Sequence, residues 1–179
     1  VSTLRSLRRV DGVAAAGPIY TSNSEIVSTE EPLKVSLLGV EAGQPGMPAL
    51  VEGREFRGGE AREVVIDQGV VIRSGIGLGD EITLRSTQGT EDEFFTLTVV
   101  GIVDSQQYFY QPAIFVAPAT WQKIRPGSEA ELATSALFPN VVAVKLNDPA
   151  QSAAMQARLL DTVKNIEIAD IPTTINNIP

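Results

Sequence analysis

The stretch RSGIGLGDEITLRS, Arg73 to Ser86, has glycines at positions 75, 77 and 79, directly ahead of Asp80. The residues after Asp80 alternate between polar and apolar, which is typical of a strand with one buried face. A dinucleotide-binding fingerprint needs its glycines between a strand and a helix, and a phosphate loop ends in Gly-Lys-Ser or Gly-Lys-Thr. This stretch has neither feature. We therefore interpret it as a tight reversal, in which the glycines allow positive φ and Asp80 bonds backbone amides before a strand.

Patterns typical of β-strands surround this stretch. EVVID at 63–67, DEITLRS at 80–86 and FFTLTVVGIVD at 94–104 are rich in β-branched and apolar residues, and the last two alternate in polarity. Residues 87–93 contain a glycine and three acids, which predicts an exposed hairpin loop. We predict that 63–103 is entirely β and belongs to a small all-β subdomain spanning residues 51–111.

The segments before this block predict one helix and two strands. Apolar residues at 4, 7 and 10 suit a helix that Asp11-Gly12 ends. Val13 to Tyr20 and LKVSLLGVE at 33–41 read as strands, separated by a polar stretch. The glycine- and proline-rich residues 42–60 read as a loop with a short helical turn near Ala49 to Glu52.

The segments after the block predict a strand, AIFVA at 113–117, and a short helix that begins at Pro118. NVVAVKLN at 140–147 is a further strand, and Asp148-Pro149 predicts the start of a second helix. We expect that helix to bury a stripe of four apolar residues, Ala153, Ala157, Leu160 and Val163. Three further apolar residues lie beside the stripe: Met155, Leu159 and Ile166. IEIADI at 166–171 reads as a closing strand, which gives β-α-β across residues 140–171.

The fold predicted from these segments is α+β. A mixed α/β subdomain with β-α-β elements comprises residues 1–50 and 112–179, and the small all-β subdomain is inserted into it.

Composition excludes several classes of function. The chain has 179 residues, a net charge of −8, no Cys and no His, so thiol and imidazole catalysis and most zinc sites are excluded. All three charges in the first ten residues are arginines, which leaves 11 basic against 22 acidic residues, or −11, in the rest. Such a charge repels a phosphate backbone, and we predict no nucleic-acid partner. We predict no catalytic, cofactor-binding or metal-binding residue.

Carboxylates at the ends of β segments leave one enzymatic alternative open. Asp67, Asp80, Glu81 and Asp104 could supply the acid pair of a hydrolase, although capping of strand ends is the simpler interpretation. A stand-alone extracellular interaction module is a second alternative.

Three segments are candidates for binding. Tyr108-Phe109-Tyr110 is a cluster of aromatic side chains that either contacts a partner or packs between the subdomains. The loop Ser128 to Asn140 is a second candidate for partner contact. Arg5, Arg8 and Arg9 either face anionic lipid headgroups, if a membrane span precedes them, or form a solvated surface. The chain starts at Val1 and ends at Pro179, and we expect it to be part of a longer protein.

Six segments, in this order, resemble the MacB-like periplasmic core domain of ABC transporter permeases: VDGVAAAGP, KVSLLGVE, LVEGREFRGGEAREVVID, GLGDEITL, LTVVGIVD and AIFVAPATWQKI. That family includes the MacB, LolC/LolE and DevC types, with FtsX as a more distant relative. The resemblance extends from about Leu4 to Ile171, and the loop at 128–140 has no clear counterpart in it.

The resemblance implies a non-catalytic domain, periplasmic or extracellular, held between the first and second transmembrane helices of a cell-membrane permease. It implies that flanking helices outside this chain connect the domain to the membrane and to an ABC ATPase subunit or domain. It further implies a periplasmic adaptor protein as partner, export or extraction of a substrate such as a drug or a lipoprotein, and a permease that acts as a dimer. No cofactor is implied for this domain.

Overall fold

Eight small or apolar residues, five polar residues and Ile26, in that order, form the longest strand that the structure describes, β1 (Val13–Ile26). The computed structural model describes residues 2–104, 111–133, 137–163 and 166–169. The other strands are β2 (Leu33–Val40), β3 (Leu50–Gly53), β4 (Glu63–Asp67), β5 (Glu81–Gln88), β6 (Glu91–Val103), β7 (Ala113–Val116) and β8 (Val141–Leu146). The helices are α1 (Ser2–Leu7), α2 (Gln68–Ser74), α3 (Pro118–Ile124), α4 (Glu129–Leu132) and α5 (Ser152–Thr162), the last preceded by a 3₁₀ turn, Pro149–Gln151.

Six of the strands pair in a closed circuit. β1 lies antiparallel to β2, β2 parallel to β7, β7 antiparallel to β4, β4 parallel to β6, β6 antiparallel to β5, and β5 antiparallel to β1. β8 pairs with β1 and β3 pairs with β6, both outside this circuit. The sheet is therefore a small barrel that carries two extra strands.

The pairings of the barrel differ greatly in length. β1 with β2 and β5 with β6 each align eight residue pairs. β1 with β5 aligns only Glu25 with Arg85 and Ile26 with Leu84, and β4 with β7 also aligns two pairs. These two short joints are the places where strands from residues 51–111 meet strands from the rest of the chain. The division into two subdomains remains a prediction.

Alternation along the strands fills the inside of the barrel. Pairs of residues two positions apart on β2, β4, β5 and β7 are fully buried in one apolar cluster: Val35 and Leu37, Val64 and Ile66, Ile82 and Leu84, and Ile114 and Val116. Each such side chain stabilises the fold by about 1.5–3 kcal/mol relative to an exposed one. Trp121 of α3 lies in the same cluster, and Gly39 makes room for it, because a Cβ at 39 would lie 2.7 Å from the Cβ of Trp121.

Two smaller clusters cover the outside of the barrel. One contains Phe56, Val65, Val103 and Phe115 beneath the segment that leads into and out of β3. The other packs α1 and α5 against β1 and β8. The aliphatic residues that predict α1 therefore hold it on the barrel and leave Arg5 exposed.

Two local predictions between residues 49 and 75 are wrong. Residues 68–74 are a helix, α2, because the side chain of Asp67 caps its N-terminus and Gly75 ends it at φ 73°. The block 63–103 is therefore not entirely β. Residues 50–53 form β3 and not a helical turn, since they pair with β6 where Gly101 has no side chain.

The strands around these errors are also longer than predicted. β1 continues through the polar residues to Ile26 because it pairs with β2 along that whole length. The hairpin between β5 and β6 is tight, with Gln88 opposite Glu91, so most of the predicted loop at 87–93 is strand.

The last helix presents a different face from the predicted one. Met155, Leu159 and Val163 are buried, whereas Leu160 is 51% exposed and the alanines at 153 and 157 are exposed. Ile166 to Ala169 contain no strand, so β-α-β closure is not formed by these residues, and 170–171 lie outside the described residues.

Two predicted helix starts are confirmed. Pro118 is in the first turn of α3. Asp148 accepts a hydrogen bond from the amide of Ala150 at 3.0 Å and so begins the 3₁₀ turn that leads into α5. In the described ranges, no helix has the length and apolar character that crossing a membrane requires.

Candidate functional site

The glycine-rich stretch is a C-terminal helix cap followed by a turn. Gly75 and Gly79 have positive φ, at 73° and 88°, and Gly77 does not. The amide of Gly77 donates to Oδ2 of Asp80 at 2.8 Å, as the sequence predicts for the start of a strand. The glycines follow the C-terminal end of α2, where the helix dipole is negative, so the geometry does not suit a phosphate.

The strand-end carboxylates are bound to backbone groups. Asp67 is buried and accepts from the amides of Val70 at 3.0 Å and Ala113 at 2.7 Å. The backbone of Asp80 bonds Val99, whereas Asp67 is aligned with Val103. Val99 and Val103 are four positions apart along β6, so the backbones of Asp80 and Asp67 are separated by about 13 Å in the strand direction.

That separation is larger than the spacing of about 5–10 Å between the two carboxylates of a glycosidase. Asp104 and Glu81 are exposed, the first just past Val103 and the second at the start of β5. Within the part of the chain that the structure describes, no three carboxylates come close enough to hold a metal ion. The carboxylates of Asp67 and Asp80 bond nearby backbone amides, as capping requires, and these two residues do not form a catalytic pair.

The predicted partner-contact residues are only partly visible. Tyr108, Phe109 and Tyr110 lie outside the described residues, and their role stays a prediction. In the loop at 128–140, Ser128 caps α4 and exchanges hydrogen bonds with Glu131. The backbone amide and the hydroxyl of Ser128 lower the pKa of Glu131.

A groove beside α1 gathers the three arginines of the first ten residues. It encloses about 400 Å³, and its lining consists of Leu4, Arg5, Arg8, Arg9, Pro18, Tyr20, Glu41, Leu137 and Pro139. We call this site the α1 groove. Arg5 lies in α1, and Arg8 and Arg9 lie in the turn that follows it, where the backbone amide of Arg8 still donates to the carbonyl of Leu4 at 3.0 Å.

Arg8 is fixed within the α1 groove. Its Nε donates to the carbonyl of Ala16 at 2.8 Å, and its Nη2 donates to Oε2 of Glu41 at 3.2 Å. Arg5 and Arg9 form no ion pair with a described residue. Three arginines face one glutamate, so the lining carries a net charge of +2 on a chain of −8.

Tyr20 forms the floor of the groove. It is 8% exposed, and its ring lies 5.3 Å from that of Trp121, which also faces the guanidinium of Arg125 at 5.5 Å. Burial, followed by the nearby charge of Glu41, raises the pKa of the Tyr20 hydroxyl, which therefore stays protonated at neutral pH.

The residues just before β8 give the groove an apolar wall, which is anchored to β1. Leu137 and Pro139 face the groove, and Phe138 between them is 74% exposed. Asn140 ties this wall to β1. Its side-chain Oδ1 accepts a hydrogen bond from the backbone amide of Thr21 at 3.0 Å, and its backbone amide donates to the carbonyl of Ile19 at 3.1 Å.

The sequence marks the arginines and the loop at 128–140, which contains Leu137 and Pro139, as binding candidates, but it does not predict that they meet or that Tyr20 and Glu41 join them. Tyr20, Glu41 and Leu137 come from β1, the end of β2 and the segment before β8. No local pattern connects these positions, since only the barrel pairing brings them together.

A sequence model described as the MacB-like periplasmic core domain matches residues 1–162. The chain belongs to this family. The match covers α1, every strand and α5, so the resemblance found in the six sequence segments is confirmed. Among curated proteins, no sequence matches this chain significantly.

Two solved structures share the fold of this MacB-like domain. The periplasmic region of MacB from Actinobacillus actinomycetemcomitans has a TM-score of 0.63 at 16% identity, with 99% of this chain and 83% of that chain covered. The extracellular domain of the noncanonic ABC-type transporter YknZ from Gram-positive bacteria has a TM-score of 0.57 at 15% identity, with 89% and 81% covered. At these identities the likeness concerns the mixed α/β fold, which the sequence predicts.

Proposed function

We propose that this MacB-like domain is the extracytoplasmic part of an ABC transporter permease and couples ATP hydrolysis in the cytoplasm to movement outside the membrane. ATP is hydrolysed by a separate cytoplasmic domain or subunit, and helices outside this chain transmit its closure. The domain is non-catalytic and acts on a periplasmic adaptor protein or on an exported substrate, such as a drug or a lipoprotein. The complete permease acts as a dimer in the cell membrane.

The family match over residues 1–162 carries this proposal. The barrel supports it physically, because close-packed interiors have low compressibility and transmit strain. A coupling domain requires such an interior, since a ligand or partner biases its position by binding one arrangement more tightly than another.

The test uses the full-length permease, reconstituted with its ATPase in lipid vesicles. One variant replaces residues 2–163 by a short flexible linker, and the matched control carries Asp80→Asn, an exposed change within the domain. We expect the linker variant to keep basal ATP hydrolysis while it loses stimulation by the adaptor and export of substrate. Full export by the linker variant would refute the coupling role.

We further propose that either Tyr108, Phe109 and Tyr110 or the loop at 128–140 carries part of the adaptor contact. The triple alanine variant at 108–110 should weaken binding of a purified adaptor by about tenfold or more, since aromatic side chains dominate interface energetics. Phe94→Ala is a suitable control, because Phe94 is 59% exposed on the β5–β6 hairpin. Equal affinity of both variants would count against this surface.

A further inference from the structure

The α1 groove combines two chemical properties that a single small ion would not use. Its lining includes the guanidinium groups of Arg5, Arg8 and Arg9, and also four apolar side chains: Leu4, Pro18, Leu137 and Pro139. Guanidinium forks bind phosphate and carboxylate oxygens in pairs. Apolar walls bind hydrocarbon, since burial removes it from water.

The cationic part of the groove can bind an anion from solution, because two of its three arginines have no ion-pair partner among the described residues. Glu41 neutralises Arg8 only, and Arg5 and Arg9 remain exposed without an ion-pair partner among the described residues. The bonds from Arg8 to Ala16 and Glu41 hold the end of β2 beside α1 and so fix the width of the groove. Tyr20 adds a neutral hydroxyl at the floor, which can donate to an anion.

The apolar side is equally fixed. Asn140 bonds the backbone of Thr21 and Ile19, so the wall cannot swing away from β1 without breaking two hydrogen bonds. A volume of about 400 Å³ lies within the ordinary range of small-molecule sites and exceeds what one phosphate group fills.

We propose that the α1 groove binds an amphiphilic anion: the phosphate or carboxylate head lies against Arg5 and Arg9, and the first part of the hydrocarbon chain lies against Leu137 and Pro139. The head can come from a lipid in the membrane surface or from a free single-chain amphiphile. The proposal does not depend on coupling to ATP hydrolysis, and its test involves neither the ATPase nor the adaptor.

The test is calorimetric titration of the 179-residue chain with monomeric lysophosphatidylglycerol, below the concentration at which it forms micelles. Lysophosphatidylcholine with an acyl chain of the same length tests whether binding needs a net negative charge on the ligand. Inorganic phosphate tests whether binding needs the acyl chain. Vesicles of phosphatidylglycerol, added as competitor, show whether the head group of a lipid in a bilayer can bind in the groove.

Two variants locate the site. Arg5→Gln with Arg9→Gln removes the two unpaired cations, and Leu137→Ser removes part of the apolar wall. The control, Arg73→Gln with Lys145→Gln, makes the same change in net charge at two exposed positions on α2 and β8 that do not line the groove. Circular dichroism checks that each variant is folded. If Leu137→Ser unfolds, the variant Arg5→Gln with Arg9→Gln still tests the site, because both arginines are exposed and their replacement should not unfold the domain.

We expect saturable binding of one lysophosphatidylglycerol, weakened about tenfold or more by the arginine pair and by Leu137→Ser and unchanged in the control. Lysophosphatidylcholine and phosphate should each bind at least about tenfold more weakly. Competition by vesicles would assign the head to the membrane, and its absence would assign it to a free amphiphile.

Four outcomes would overturn the proposal. They are no binding of the monomer, equal loss in the control pair, phosphate binding as tight as that of the lysolipid, and binding to vesicles alone. The last would mean adsorption of the basic helix on a charged surface without use of the groove.

Discussion

The backbone amide of Ala113 donates a 2.7 Å hydrogen bond to Oδ2 of Asp67, which joins the start of β7 to the end of β4. The other oxygen of the same carboxylate caps α2 through the amide of Val70. One buried side chain therefore fixes three elements at one of the two short joints of the barrel.

Replacing Asp67 by Asn should reduce the free energy of unfolding by about 2–3 kcal/mol, because an amide has one acceptor oxygen and must leave one buried N–H unbonded. Urea denaturation measures this change. Asp80→Asn is the matched control, since Asp80 accepts a single bond from Gly77 at an exposed site. A cost below about 0.5 kcal/mol for Asp67→Asn would contradict the role of its carboxylate at the joint.

Glu63 should make stability depend on acid. Arg54 donates two hydrogen bonds to its carboxylate, at 2.6 and 3.1 Å, and the amide of Arg57 donates a third at 2.8 Å. These bonds, that of the Arg54 side chain above all, lower the pKa of Glu63 to about 2. The stabilisation is present above the ordinary pKa of 4.5 and is lost as the pH falls toward about 2.

We expect wild type to lose about 1–2 kcal/mol more than Glu63→Gln between about pH 5 and pH 2, a modest figure because Arg54 is half exposed. Glu60→Gln is the control, since its carboxylate is 73% exposed and lies 3.9 Å from Lys123. Parallel pH profiles for wild type and Glu63→Gln would refute the prediction.

Two neighbouring leucines of α5 should contribute very differently to the free energy of unfolding. Leu159 is buried against α1 and β1, and Leu160 is 51% exposed. Leu159→Ala should cost about 2–4 kcal/mol and Leu160→Ala less than about 0.5 kcal/mol in chemical denaturation. The reverse order would mean that the face predicted from the sequence spacing is the buried one.

Gly101 should tolerate no side chain. A Cβ at this position would overlap the carbonyl oxygen of Arg54, where β3 crosses close to β6. Gly101→Ala should therefore cost about 2 kcal/mol or more, and Gly58→Ala, whose Cβ meets nothing within 4 Å, should be nearly neutral. Thermal unfolding of both proteins decides the point, and equal melting temperatures would contradict it.

Local chemistry explains which elements could be predicted. Pro118 and Asp148 begin helices because their effects act within one turn, and alternation predicts β5 and β6 because each has one face inside the barrel. The helix α2 was missed although Asp67 and Gly75 mark both its ends, because the β-branched residues between them favour a strand. β3 could not be predicted, since pairing with β6 creates it.

The candidate site follows the same rule. The three arginines are visible in the sequence because they lie close together in the first ten residues, but Glu41 and Leu137 join them only because β1 brings distant segments together. A pattern within a single element cannot show a groove between elements.

Hydrogen bonding along both edges of β1 has a mechanical consequence. This strand follows α1 and pairs over its length with β2, β5 and β8. A force applied to α1 along the strand would load those bonds together in shear, so no single pair could open first as it would in a peeled hairpin. A displacement of α1 would then be transmitted along β1 to the opposite end of the strand without prior separation of the paired strands.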